Sequence, residues 1–232
     1  MTRRTRPGSS STRPVDDFRF DILVLTYRDL LAGAWISLKI TCISFFVALL
    51  VGGAVGTARS RSTFWRKALG PYVEFMRGTP LLIQLFFLYY GLPTVGINMG
   101  SLTAAYLGLG LNGGAYISEI VRGALSGVHK GQEEAALSLG LTELQTLGYV
   151  LLPQALRTAM PPLVNSFSAM LKDSSLISVL AITELTRIGQ LVYTRTFRAF
   201  EIYLAVAVIY FVLTYCFTLL SRRLEYRFGT SG

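Results

Sequence analysis

Apolar residues in this chain gather into long runs without charge, separated by short polar stretches. Ile40 to Ala58 carries no charged side chain. At about 1.5 Å per residue, a helix of that length nearly crosses the ~30 Å hydrocarbon layer of a bilayer. The pattern predicts a first span over 30–58, with Lys39 snorkelling, because a charge at mid-bilayer costs roughly 3 kcal/mol or more. Phe18 to Leu31 mixes apolar and charged residues and is expected to lie along the surface ahead of this span. Gly52 and Gly56 form G-x-x-x-G, which permits close helix packing or is merely tolerated. Gly78 to Ser118 is also charge-free, is about twice as long as one span needs, and is broken by Gly91-Leu92-Pro93. Two spans are read from it, 72–92 and 99–125. Thr158 to Leu171 is too short to cross alone, but it continues through Lys172-Asp173-Ser174-Ser175 to Thr183. That predicts a fourth span over 155–183, a broken helix whose polar junction sits inside the bundle. Ile202 to Ser221 gives the fifth, over 200–221. The expected fold class is an all-α membrane protein with five transmembrane helices. It forms a single domain over 18–228, behind a mobile tail at 1–17 rich in Arg, Ser, Thr and Pro. No apolar core directly follows the arginines of that tail, so it is not read as a cleavable signal peptide.

Composition agrees. Hydrophobic residues make up 52% and charged residues 15%, against about 25% charged in soluble domains. The formal charge of +9 suggests a nucleic-acid surface until the arginines are placed. They lie beside the apolar spans, where a positive-inside bias puts them, so no nucleic-acid partner is expected and the lipid bilayer is. With basic residues far from the spans discounted, the loop at 129–153 and the C-terminus are expected in the cytoplasm and the N-terminus outside. The arginines at positions 3, 4, 6 and 13 run against that assignment. Cys42 and Cys216 fall inside apolar runs and read as small hydrophobes. With one histidine, His129, no metal-ligand spacing exists. There is no G-x-x-x-x-G-K-[ST] phosphate loop, no paired carboxylates and no nucleophile elbow. The chain is not read as an enzyme.

One polar stretch between spans is organised differently. Gly131-Gln132-Glu133-Glu134 opens a short helix, where acidic groups suit the N-terminal dipole. Gly140 can end it with positive φ. Thr142 and Gln145 have the spacing of a capping box for a second short helix, and Pro153 either stops that helix or starts the next span. Glu134-Ala135-Ala136, three residues, Gly140, nine residues and Val150-Leu151-Leu152-Pro153 together resemble the mark of permease subunits of ATP-binding-cassette (ABC) importers, with Val150 in place of the usual Ile. Arg77-Gly78-Thr79-Pro80-Leu81-Leu82 with Gln84-Leu85-Phe86-Phe87, then Leu152-Pro153-Gln154-Ala155, Pro161-Pro162-Leu163 and Leu171 to Leu176, resemble the polar amino acid subgroup. The resemblance implies the type I importer permease fold in a bacterial inner membrane. It implies that Gln132, Glu133, Glu134, Ala135, Ala136, Gly140 and Pro153 form coupling helices that dock into a separate ATPase subunit. It also implies two ATPase subunits, which bind ATP–Mg, a second permease copy or paralogue, an extracytoplasmic solute-binding protein and an amino acid substrate. No cofactor is expected on this chain itself.

An amino acid carries both a carboxylate and an ammonium, so its path needs donors, acceptors and charges held by protein. Lys172, Asp173, Ser174 and Ser175 supply these at the helix break. Asn112, Glu119, Arg77, Thr79 and Gln84 are further candidates. Each has a plainer reading: an internal Lys172–Asp173 pair, interhelical hydrogen bonding by Asn112, interfacial anchoring by Arg77. Two other functions compete, a secondary transporter and a membrane scaffold or regulatory subunit without an ATPase. The first needs internal repeats and more spans; a polar break at membrane depth argues against the second.

Overall fold

The computed structural model describes residues 19–228; the tail expected over 1–17 lies outside them. The longest helix, α1, runs unbroken from Phe20 to Arg61. The segment expected to lie flat before the first span is therefore the opening of the same helix. Its buried face explains this. Ile22, Leu30 and Ala34, at helical spacing, join one cluster with Leu185, Ile188 and Ile202, so this end of α1 is held by protein rather than by the bilayer surface.

The helix expected over 72–92 is two pieces. α2 spans Thr63–Gly78 and α3 spans Leu81–Phe86, continued by a π-helical turn at Phe87–Gly91 and a 3₁₀ turn at Leu92–Val95. α2 meets the Leu81–Val95 segment at 104°. Pro80 causes the corner. It has no N–H to give the helix and pushes the preceding residue to extended backbone, and Thr79 has φ −115° and ψ 144°. The break expected at Gly91-Leu92-Pro93 is also present, closed by Gly96 at φ 86°.

α4 (Ser101–Ser126) runs down the middle of the bundle. The polar stretch follows as α5 (Lys130–Ser138) and α6 (Glu143–Gln145), then a π-helical turn at Thr146–Leu151 that feeds directly into α7 (Leu152–Asp173). Both π turns end just ahead of a proline, Pro93 or Pro153, where widening the helix accommodates the missing donor. The polar break expected in the fourth span falls at Ser174, where α7 tightens to a 3₁₀ helix that ends at Ala181 with φ 57°. α8 (Leu185–Thr196) bends away by 51°, and α9 (Ala199–Phe228) is the last helix.

α1 and α9 are each long and apolar enough to cross a membrane, and the two bent pairs qualify when joined. α4 does not stand out by hydropathy because protein, not lipid, covers it. Ala104, Ala105, Leu109, Asn112, Ala115, Ile117 and Ser118 on it are all buried. Its tightest partner is α1. A Cβ on Gly52 would meet the Gly114 carbonyl oxygen at 2.7 Å, and one on Gly56 would meet the Ser118 carbonyl oxygen at 2.5 Å. The G-x-x-x-G is thus a contact surface, not a tolerated pair.

At the opposite end, Glu184 has no exposed surface. Its carboxylate accepts from the Thr186 and Arg187 backbone N–H groups at 2.9 and 2.8 Å, capping α8. It also accepts from Ser37 Oγ on α1 at 3.2 Å and from the Tyr210 hydroxyl on α9 at 3.0 Å.

Two alanine substitutions test the helix contact. Gly56→Ala is expected to cost about 1–3 kcal/mol by forcing α1 off α4. Gly53→Ala, whose Cβ meets nothing within 4 Å, should be neutral or stabilising, since alanine favours helix by about 1 kcal/mol. Unfolding midpoints of the purified protein compare them, and equal effects would remove the packing argument.

Candidate functional site

The corner between α2 and α3, the middle of α4 and the upper half of α7 enclose a cavity of about 870 Å³. Arg77, Thr79, Asn112, Glu119 and Asp173 all line it. Five candidates, from four separate stretches of sequence, therefore share one space. The corner at Pro80 is what turns Arg77 and Thr79 toward α4.

The polar lining is built in layers. Gln84 is buried behind the wall. Its amide nitrogen donates to Thr79 Oγ1 at 2.8 Å and to the Met76 carbonyl at 2.9 Å. Asn112 Nδ2 donates to the same Met76 carbonyl at 2.9 Å and to Gln84 Oε1 at 3.1 Å. Asn112 is thus both an interhelical tie and part of the lining. The Arg77 guanidinium lies over the Tyr116 ring, 5.3 Å from its centre, so its stem is steadied while it stays exposed to the cavity. Glu119 is paired with Arg59, and with Arg122 at 2.6 Å. Asp173 is half-buried, leaving Arg77 and Asp173 as opposite charges on the lining.

Three candidates stand elsewhere. Lys172 is exposed and does not line the cavity, and among the described residues no direct ion pair joins it to Asp173. Successive helical residues point about 100° apart, so Asp173 turns inward and Lys172 outward. Ser174 is buried and donates to the Leu171 carbonyl at 2.7 Å, closing the helix break; Ser175 does not reach the cavity. Tyr116, Asn165, Ser166 and Met170 also line it without having been singled out in the sequence. Asn165-Ser166, a polar pair inside the apolar run of α7, was the signal available for two of them.

The second constellation is the α5–α6 pair. His129 caps α5, accepting from the Gly131 N–H at 3.1 Å. Gly140 has φ 83°, and the Leu141 N–H reaches back to the Ala136 carbonyl at 3.2 Å, the close of a Schellman turn. The capping box of Thr142 and Gln145 is formed in both directions. Pro153 lies in the first turn of α7, so it starts the span. Gln132, Glu134, Ala135 and Gly140 are exposed, while Ala136 is buried. Glu133 turns inward, paired with Arg61. The outer surface of the pair carries Leu139 at 85% and Leu144 at 81% exposure.

Residues 44–230 match the family described as binding-protein-dependent transport system inner membrane component. The chain belongs to that family. This permease is 40% identical over 201 residues to the glutamine transport system permease protein GlnP of Escherichia coli K12, covering 85% of this chain and 92% of that one. It is 34% identical over 211 residues to the L-cystine transport system permease protein TcyB of Bacillus subtilis, covering 90% of each. Among solved structures it is similar to a crystal structure of an amino acid ABC transporter with histidines, with a TM-score of 0.83, 36% identity, and coverage of 91% of this chain and 99% of that one. It shares its fold with a chain of the MetNI methionine ABC transporter in an inward facing conformation, with a TM-score of 0.75 at 23% identity and coverage of 88% of this chain and 97% of that one. These likenesses establish the ABC importer permease and its type I fold.

Proposed function

We propose that this permease carries a polar amino acid into the cell by alternating access, driven by two partner ATPase subunits. The single observation that supports the substrate class is the cavity. Arg77 and Asp173 offer opposite charges to a carboxylate and an ammonium, with the neutral polar groups of Thr79, Asn112, Asn165 and Ser166 around them. Its volume of about 870 Å³ lies in the usual range for small-molecule sites. The relatives named for glutamine and L-cystine transport point the same way, since both solutes are zwitterions. An extracytoplasmic binding protein delivers the solute, and a second permease copy or a paralogue completes the pathway. ATP–Mg is bound by the ATPase subunits, not by this chain.

The exposed tips of α5 and α6 are read as the dock for the ATPase. ATP binding closes the ATPase pair, the short helices move as one body, and the cavity exchanges its open side. The capping box and the Schellman turn make this pair stiff enough to pass on a push. The N-terminus is read as outside and the C-terminus as cytoplasmic. In support, Arg61, Arg66, Lys67, Arg122, Lys130 and Arg157 gather at the α5–α6 end, the basic excess that cytoplasmic loops carry.

Three experiments test this reading. In a complex with its ATPase subunits and binding protein, Asp173→Ala should lower solute-stimulated ATP hydrolysis about tenfold or more, leaving assembly intact. Normal uptake with Asp173 replaced would sink the pathway assignment. Gly140→Val should reduce uptake more than Glu134→Ala. A Cβ at positive φ costs roughly 1–2 kcal/mol and distorts the pair, whereas Glu134 contributes only a charge. Equal or reversed effects would count against the shape argument. For orientation, in a permease lacking Cys42 and Cys216, an impermeant thiol reagent applied outside should label a cysteine at Thr194 and not one at Ser138. The opposite labelling would invert the topology.

A further inference from the structure

The last turn of α1 touches both constellations. Arg61 is paired with Glu133 on α5 and lies 3.7 Å from Glu143 on α6, so one guanidinium grips both short helices. Arg59, two residues earlier, is paired with Glu119, which lines the cavity. Residues two apart on a helix point to nearly opposite sides, so one turn reaches two elements at once. The turn is in tight contact with α4. One turn above Arg59, Gly56 lies against the Ser118 carbonyl and the Val121 side chain, the α4 residues that flank Glu119. Past the end of α1 the chain turns at Ser62 into α2, whose far end supplies Arg77 to the same cavity. Arg59 is buried, and its Nε has no partner among the described residues. A buried donor is costly to leave unmatched.

We propose that the last turn of α1 is the strut through which the α5–α6 pair acts on the cavity, with Arg61 and Arg59 as its positioning residues. A shift of α5–α6 pulls Arg61, the rigid turn carries the shift to Arg59, and Arg59 moves Glu119 in the cavity wall. This rests on the reading of α5–α6 as the ATPase dock. Neither arginine touches solute in this scheme. They act through Glu133, Glu143 and Glu119.

The test reads the cavity directly. Ala169 lines the cavity and is exposed. With Cys42 and Cys216 replaced by serine, a cysteine at position 169 reports cavity access by its rate of maleimide labelling. The assembled complex in lipid nanodiscs receives its binding protein and a mixture of the twenty common amino acids, with or without ATP and vanadate. The parent's labelling rate should change about tenfold or more on trapping. Arg61→Ala should keep its ATPase subunits yet lose most of that change. Arg61→Glu with Glu133→Arg should restore at least half of it, where either single reversal does not. A purely structural ion pair would move melting temperature without this pattern of loss and rescue. A response in Arg61→Ala within twofold of the parent overturns the strut. So does loss of the ATPase subunits from Arg61→Ala, which would make the pair part of the dock alone, or a reversed pair that assembles but responds no better than the single variants. If the reversed pair does not assemble, Arg59→Lys decides. It keeps the charge but not the planar guanidinium, and should lower the response at least severalfold; an unchanged response overturns the proposal. A cross-link from a cysteine at Leu139 to the ATPase separates the two readings. Its absence in an assembled parent complex removes the dock and the strut with it, whereas its presence beside a normal Arg61→Ala response removes the strut alone.

Discussion

Everything in this bundle depends on how closely α1 can approach α4. Between helices in lipid there is no gain from hiding apolar surface, because the surroundings are equally apolar. What holds them is close contact between backbones, which only small residues allow. Gly52 and Gly56 bring α1 against the Gly114 and Ser118 carbonyls, and Gly113 lets Met170 of α7 lie against another side of α4. With α4 gripped by α1 on one side, its other side is free to form a wall. The cavity lies there, and its remaining walls come from the corner between α2 and α3 and from α7 up to its break.

Those interruptions are where the sequence was most and least legible. Breaks with their own chemistry could be read directly: the polar junction after Asp173, the turn at Gly91-Leu92-Pro93, the capping box, and the positive φ of Gly140. Each is set by residues within a few positions of one another. The corner at Thr79-Pro80 carried an equally local signal but sat inside a charge-free run, and a reading based on apolar length passed over it. The continuity of α1 was less accessible. Asp21, Arg28 and Asp29 argued for a surface segment, and only the later residues Leu185, Ile188 and Ile202 give that stretch a partner.

The site divides in the same way. Residue types suited to a zwitterion were recognisable, and five of them converge. Direction was not recognisable. Lys172 and Asp173 are neighbours in sequence, yet a helix sends them to different surroundings, and an expectation built on their adjacency gives way to that geometry. Asn165 and Ser166 needed knowledge of which face of α7 meets α4. Arg59 and Arg61 looked like ordinary basic residues at a helix end, since their partners lie 60 and 72 positions away.

Glu184 has a consequence for how the protein is made. A lone carboxylate is poorly tolerated in hydrocarbon. Two of its four donors arrive with its own helix, but the others come from Ser37, 147 residues earlier, and Tyr210, 26 residues later. A chain inserted from its N-terminus onward has already placed α1 in the bilayer when Glu184 emerges, and it still lacks α9. This end of the bundle therefore cannot close until the last helix has been delivered. Up to that point the start of α8 must remain in contact with water or with the insertion machinery. Insertion of α9 is the event that lets the first and last helices lock together, so a ribosome stalled before Tyr210 leaves behind a chain whose Glu184 end stays open to quality control.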